Sequence, residues 1–356
     1  MRRWMALLAA LGLLAVSGCG LPGENGGAPG LLETAAGLPA PCAVAEADGV
    51  SVGSRSYLYW LGRNCAYLSD ALTAQGRETQ WNQGTQGETL GDAAKSAALR
   101  TAVLYALIPK IAEDCGVLWE DADEAALQES RAARIAALGG EDAWTRQLAR
   151  WGLSETDAQA LARCHRLYGK LYSLSRTGDS ALCLPPEEIA GYAEKQGLCT
   201  VGVLAVPDAQ AAEAIRTELA GSADLPAAFA ARAESSGVRL ESPVTLGAGE
   251  DALPEEVIQA AKALTPGQLS PVVTAGGQSF LLLGMELDED AAARALFDQR
   301  LTERTEQAEV KLLAAYEDID PGKFYPALTA AQAALDANSG SGASPSGSAV
   351  SPSASG

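Results

Sequence analysis

Apolar residues recur at three- and four-residue steps through most of the first half of the chain. Between Ser56 and Ala74 the stripe runs Tyr57, Trp60, Leu61, Asn64, Leu68 and Leu72, which predicts an amphipathic helix. A Gly/Gln/Thr-rich patch at 84–91 separates it from a second run, Asp92 to Cys115, with Leu99, Val103, Leu107 and Ile111 on one side. Pro109 is expected to kink or break that run and Gly116 to end it. Helical spacing continues over 121–138, 141–151 and 154–173, interrupted at Gly139-Gly140 and at Gly152. Ser154 and Asp157 have the spacing of a capping box, with Asp where Glu is usual. From Cys42 to Ser180 the pattern predicts a succession of helices and no strand.

The period changes after Cys183-Leu-Pro-Pro186. The two prolines stop one helix, and Pro186 begins another at its first position with Glu187 and Glu188 in the first turn. Past Gly197 the run Cys199-Thr-Val-Gly-Val-Leu-Ala-Val206 reads as a strand. Helices over 208–220 and 225–235, a strand near 244–246, a helix over 254–264 and strands over 270–274 and 278–285 then follow. That alternation predicts a compact α+β domain. From Asp290 to Tyr316 the chain reads as one charged amphipathic helix whose apolar side carries Leu296, Leu301, Val310, Leu312 and Leu313.

The two ends have other patterns. Arg2 and Arg3 precede an apolar run from Trp4 to Val16, too short to span a membrane and followed by small residues, so residues 1–18 read as a signal peptide. Val16-Ser-Gly-Cys19 matches the lipobox of bacterial lipoproteins at each position. Cleavage before Cys19 and lipidation on it are therefore expected, and two or more acyl tails hold a protein firmly at a membrane where one does not. Residues 19–41, rich in Gly and Pro, read as a flexible tether, and 336–356, almost entirely Ser, Gly, Ala and Pro, as a disordered tail. The bounds expected between them are 42–185 for a helical domain, 186–289 for the α+β domain and 290–335 for a C-terminal helix.

Charge narrows the function. The 356 residues carry a formal charge of −19, more negative still without Arg2 and Arg3, which repels phosphate backbones and argues against a nucleic-acid partner. Six cysteines remain after Cys19: Cys42, Cys65, Cys115, Cys164, Cys183 and Cys199. In an exported chain they permit up to three disulfides whose pairing the sequence leaves open, and Cys164 and Cys199 read equally well as buried thiols. No cysteine sits in a CxxC or Cys/His spacing, so neither a metal site nor a cofactor is expected.

The order of parts, lipobox, helical domain, small α+β domain and C-terminal helix, resembles the PrsA and SurA foldase family, whose α+β module is a parvulin-type peptidyl-prolyl isomerase. Pro186-Glu-Glu-Ile-Ala-Gly-Tyr192 resembles the module's opening helix and Ala227-Ala-Phe-Ala-Ala-Arg-Ala233 its second helix. The stretch from Leu253-Pro-Glu-Glu-Val257 through Ala263-Leu-Thr-Pro-Gly-Gln-Leu-Ser-Pro-Val272 resembles the approach to its last strands, and Thr274-Ala-Gly-Gly-Gln-Ser-Phe280 its closing strand. The resemblance implies an all-helical SurA-like N-terminal domain, a parvulin-like α+β domain and a C-terminal helix that returns to the helical domain.

Departures from the family pattern bear on activity. Where the family has a histidine in the first strand, this chain has Gly202-Val203-Leu204; where it has one in the last strand, Ser279 stands. The Cys or Asp expected before the second strand is missing from 235–249, and the only histidine, His165, falls in the helical part. Twisting a prolyl amide meets a barrier of about 18–20 kcal/mol, which polar groups must lower. Leu253 and Val257 stand where the family floors its proline pocket with Met and Phe, so an apolar pocket lined by Leu253, Val257, Phe280, Ser279 and Gly202 is expected without catalytic residues.

The function so implied is a membrane-anchored extracytoplasmic chaperone or foldase, at the outer face of the cytoplasmic membrane, that binds unfolded or newly exported polypeptides. The alternative is an active peptidyl-prolyl cis-trans isomerase with a rearranged site. Trp60, Trp81, Trp119, Trp144 and Trp151 all lie in the helical part, as core residues or as the lining of an apolar groove.

Overall fold

The computed structural model describes residues 28–340, apart from 86–87, 178–179, 181, 236–242 and 248–252. The expected signal peptide, Cys19, the first part of the tether and the tail from 341 onward lie outside the described residues, as do parts of the 235–249 stretch. The fold is α+β, and it divides into a smaller unit, Gly169–Arg304, and a larger one made of the residues on either side, up to Tyr168 and from Thr305 on.

The larger unit opens with α1 (Leu31–Ala36), where a featureless tether is expected. Two features explain the helix. Gly30 N–H is capped by the Glu33 carboxylate at 3.1 Å, and Leu32 is wholly buried on the packed side. A side-chain carbon at Gly152 would stand 2.8 Å from Leu32 Cγ, so glycine there admits α1 to its seat.

Strands β1 (Ala43–Ala47) and β2 (Val50–Gly53) follow, which corrects the expectation of no strand between Cys42 and Ser180. They form an antiparallel hairpin with Ala47 opposite Val50. Its two-residue loop, Asp48-Gly49, has φ of 48° and 77°, the left-handed pair of a type I′ turn. The Asp-Gly dipeptide between alternating apolar residues is a sequence signal for this hairpin.

Helix α2 (Ser54–Ala74) buries Tyr57, Leu58, Trp60, Leu61 and Cys65. Short strands β3 (Gly84–Thr85) and β4 (Glu88–Thr89) lead to α3 (Leu90–Asp114), which Thr89 and Asp92 cap reciprocally at 3.0 Å. Pro109 lies inside α3 and does not end it. Proline takes away the donor to the carbonyl four residues back, Tyr105, and that carbonyl instead accepts from the buried Cys164 thiol at 3.4 Å. Helices α4 (Asp121–Leu138), α5 (Glu141–Arg150) and α6 (Glu155–Ser175) complete the first stretch. The Ser154–Asp157 box at the head of α6 forms as the spacing predicts, with Asp157 N–H on Ser154 Oγ at 3.1 Å.

The smaller unit follows the predicted alternation: α7 (Pro186–Gln196), β5 (Cys199–Val206), α8 (Ala209–Ala220), α9 (Leu225–Ser235), β6 (Val244–Leu246), α10 (Glu255–Lys262), β7 (Val273–Ala275) and β8 (Gln278–Met285). The four strands make an antiparallel sheet in the order β6-β5-β8-β7. Helix α10 covers one face, packing Val257 and Ala261 on Val201, Val203, Ala205, Phe280 and Leu282. Helices α8 and α9 cover the other, packing Ile215, Leu219 and Phe229 on Leu204, Val206, Leu281 and Leu283. Burial on both faces is why β5 and β8 read as unbroken apolar runs.

The expected single helix from Asp290 to Tyr316 is three elements. α11 (Glu289–Glu306) buries Leu296, Phe297 and Leu301. Within the smaller unit the Phe297 ring meets that of Tyr172 edge-on at 5.5 Å. The chain then extends as β9 (Val310–Leu312), which joins the edge of β1 in the larger unit, and α12 (Ala314–Asp318) and α13 (Pro321–Gly340) follow. Val310 and Leu312 therefore leave the apolar side of a helix and stand exposed on a strand. α13 runs past the start of the expected tail and packs against α1, α2 and α3, so the C-terminal helix returns to the helical part. Gly62 on α2 makes room for it: a Cβ there would stand 2.8 Å from Leu328 Cδ2.

Candidate functional site

The five residues expected to line a proline pocket do not share a face of the sheet. Side chains alternate along β5 and β8, and the two strands pair without a break from Thr200–Met285 to Val206–Ser279. Val257 and Phe280 lie on the α10 face with Leu253 packed against them; Val257 is fully buried and Phe280 nearly so. Gly202 shares the parity of Leu204 and Val206, and Ser279 that of Leu281 and Leu283, so both belong to the α8–α9 face. Ser279 stands opposite Val206, four residues along β5 from Gly202, or about 13 Å at the usual rise per residue. The apolar trio is therefore part of a core, and the two positions where the resemblance expects histidines are separate from it and from each other.

Polar groups of this sheet are used to hold it. Thr200 Oγ1 lies 2.8 Å from Thr245 Oγ1 across β5 and β6 and accepts from Asp288 N–H at 2.8 Å. Buried Ser270 accepts from Leu282 N–H through its hydroxyl, at 2.9 Å. Ser279 Oγ is 3.5 Å from Thr274 Oγ1. In the smaller unit burial and the Asp290 carboxylate, which takes the phenol hydrogen bond at 2.6 Å, push Tyr172 up to about 12. A phenol so held is a structural donor at neutral pH. No group of three or more His, Cys, Asp or Glu stands together to hold a metal among the described residues.

The larger unit holds the tryptophans of the described residues. Trp60, Trp81 and Trp144 are core side chains; Trp119 and Trp151 are half-buried, each with an arginine over its ring, Arg163 at 4.4 Å and Arg63 at 5.3 Å. Trp60 stacks on Tyr105 at 5.0 Å, and Tyr59 meets both Trp60 and Trp151 edge-on. His165 is exposed on α6, its ring parallel to that of Tyr168. Cys42, Cys65, Cys115, Cys164 and Cys183 are free thiols, and burial pushes the Cys65 thiol well up, which suppresses its thiolate. Arg55 meets two buried carboxylates, Glu33 and Asp157, each at 3.5 Å.

Among the described residues the exposed large apolar side chains are Leu118, Tyr67, Val310 and Leu312 in the larger unit and Leu287 in the smaller. The composition and helical spacing did not single out Leu118 or Tyr67. No helix among the described residues is long and apolar enough to cross a membrane.

No family model matches the chain, and no curated protein matches it. Solved structures to which it is similar include foldase proteins and SurA-like chaperones. The foldase protein PrsA from Streptococcus pneumoniae is 14% identical, over 68% of this chain and 84% of that one, with a TM-score of 0.30. PrsA from Bacillus subtilis is 15% identical, over 70% and 88%, with a TM-score of 0.29. A SurA-like chaperone of Campylobacter jejuni is 10% identical, over 77% and 99%, with a TM-score of 0.25.

Proposed function

We propose that this chain is a lipid-anchored extracytoplasmic chaperone of the foldase kind. On this reading Cys19 holds it at the outer face of the cytoplasmic membrane, and it binds unfolded exported polypeptides without isomerising prolyl bonds. The observation that carries the reading is an α+β unit, falling in the sequence between the two segments of the larger unit, whose sheet bears Gly202 and Ser279 where the resemblance expects imidazoles. The chain's one histidine, His165, lies outside that unit.

Chemistry separates binding from catalysis here. Each preorganised polar donor lost from an active site costs about 10²–10³ in rate, whereas binding an unfolded segment requires only apolar surface and open backbone groups. A strongly acidic surface keeps such a protein soluble at high local density on a membrane and turns away nucleic acid.

A client aggregation assay run beside a protease-coupled assay on an Ala-Pro peptide tests the function. Suppressed aggregation with isomerisation at the uncatalysed rate is expected; isomerisation near that of an active parvulin overturns the reading. For the anchor, fatty-acid analogue labelling of the cells should mark the natural chain and leave Cys19→Ala unlabelled.

A further inference from the structure

The sheet of the larger unit ends in a strand with both an open backbone edge and exposed apolar side chains. β9 pairs with β1 by placing Ala45 opposite Leu312, Glu46 opposite Lys311 and Ala47 opposite Val310. The bonds at either end set the alternation: Leu313 N–H donates to the Val44 carbonyl at 3.0 Å, and Asp48 N–H to the Glu309 carbonyl at 3.1 Å. Residues 309, 311 and 313 therefore turn their backbone groups toward β1, and Val310 and Leu312 turn theirs outward. No described strand pairs with that outer edge. The Val310 and Leu312 side chains, 39% and 43% exposed, project from the same stretch. Proteins guard such edges with charge, proline, bulges or a covering element, and within β9 the charged residue is Lys311.

We propose that the outer edge of β9 takes an extended segment of a non-native polypeptide as an added strand. The preferred segment sets apolar side chains beside Val310 and Leu312 and an acidic residue beside Lys311. This rests on the chaperone reading and names its substrate class. Main-chain bonds to Val310 and Leu312 accept any sequence that can extend, as a chaperone requires, and the alternate apolar side chains favour segments that a folded protein would bury. Lys311 decides the charge. It already faces Glu46 on β1, so a carboxylate on its other side continues an alternating ladder, whereas a lysine or arginine there meets a like charge.

The same rule disfavours a second copy: two β9 edges paired antiparallel, Val310 opposite Leu312, bring Lys311 against Lys311. A formal charge of −19 on each chain adds to that repulsion. Residues 341–356, with Pro345, Pro352 and no acidic residue, lack the alternation that the edge selects.

Fluorescein-labelled peptides of the pattern Ser-Val-Thr-Val-Xaa-Val-Thr-Val-Ser, with Xaa as Asp or Lys, test this by anisotropy on the full mature chain. The Asp peptide is expected to bind about threefold tighter than the Lys peptide, and K311E to invert that order. V310P and L312P each remove one outward N–H and no bond to β1, and should weaken both peptides about fivefold without moving the thermal transition. Unchanged binding in both proline variants overturns the proposal. So does a dimer of the natural chain that V310P converts to a monomer, since the edge then belongs to a second copy. If neither peptide binds the natural chain while client aggregation is still suppressed, the edge proposal fails and the chaperone reading stands; loss of both defeats the chaperone reading itself.

Discussion

In the smaller unit the buried hydroxyls of Ser175, Thr200, Ser270 and Ser279 all have partners, whereas along α2 of the larger unit Ser56 Oγ, Tyr57 OH, Trp60 Nε1 and Asn64 Nδ2 are buried with no hydrogen-bond partner among the described residues. The sheet satisfies its polar groups because neighbouring strands bring hydroxyls and amides into register on the way to burying aliphatic side chains. Helix α2 is instead placed by its aromatic rings, stacked on Tyr105 and tilted against Tyr316 at 5.5 Å, and its donors go where the rings put them. Each unsatisfied buried donor costs about 1–3 kcal/mol. In the larger unit that cost is offset by a helical core that includes Leu58, Leu61, Ile108, Phe324 and Leu328, while the smaller unit rests on a doubly covered sheet.

The tryptophans make the contrast measurable, because those beyond the expected signal peptide all lie in the larger unit and its melting is followed by their fluorescence. The largest effects should come from paired truncations. Phe324→Ala empties a fully buried site on α13, and the fluorescence transition should fall by the equivalent of about 3–5 kcal/mol. Leu281→Ala, equally buried in the small sheet, should cost about 2–4 kcal/mol in circular dichroism and leave the fluorescence transition in place. A shift of both signals by either variant would break the comparison.

Arg55→Met sharpens it. Removing the guanidinium leaves Glu33, with no exposed surface, and Asp157 without their cation, and about 3 kcal/mol should be lost from the larger unit alone. An unmoved fluorescence melt would show that the ion group adds nothing.

A smaller loss, about 1–2 kcal/mol, is expected for Cys164→Ala, which removes the thiol donor to the Tyr105 carbonyl. The same change in a Pro109→Ala background should cost less, since the helix then supplies its own donor. Equal costs in both backgrounds would disprove the coupling.

The smallest effect is one of pH. Arg131 holds the Glu155 carboxyl below its usual range, helped by the Trp144 indole N–H at 2.7 Å. A carboxylate depressed in the folded state contributes stability above its unfolded value, and that contribution is lost as pH falls through the folded value. Fluorescence melts taken from pH 6 to pH 3 should lose stability more steeply for the natural chain than for Glu155→Gln. Parallel slopes would remove Glu155 from the account.

Much of the fold was legible because it rests on local periodicity and punctuation. The helix of α2, the cap at Ser154–Asp157, the start of α7 at Pro186 and all the strands and helices of the small sheet follow from apolar spacing and from proline chemistry. The Asp48-Gly49 turn was equally legible, and a reading that weighted helical spacing alone passes over the hairpin it makes. Alternation by itself also separates Ser279 from Phe280, since neighbours in a strand cannot share a face.

Other features depend on partners far away in the chain. Val310-Lys-Leu312 continues a helical stripe on paper and becomes a strand because β1, some 260 residues earlier, offers it an edge. Pro109 should kink or break α3; the helix runs on through it, and a thiol from α6 takes up the carbonyl it leaves. Leu31-Leu32 reads as part of a tether until α13 and α2 give it something to pack on. Local sequence sets which backbone conformations cost little, so it determined the periodic elements and their caps. The tertiary structure decided where open hydrogen-bonding groups and stray apolar side chains find partners, because that free energy exists only when distant segments meet.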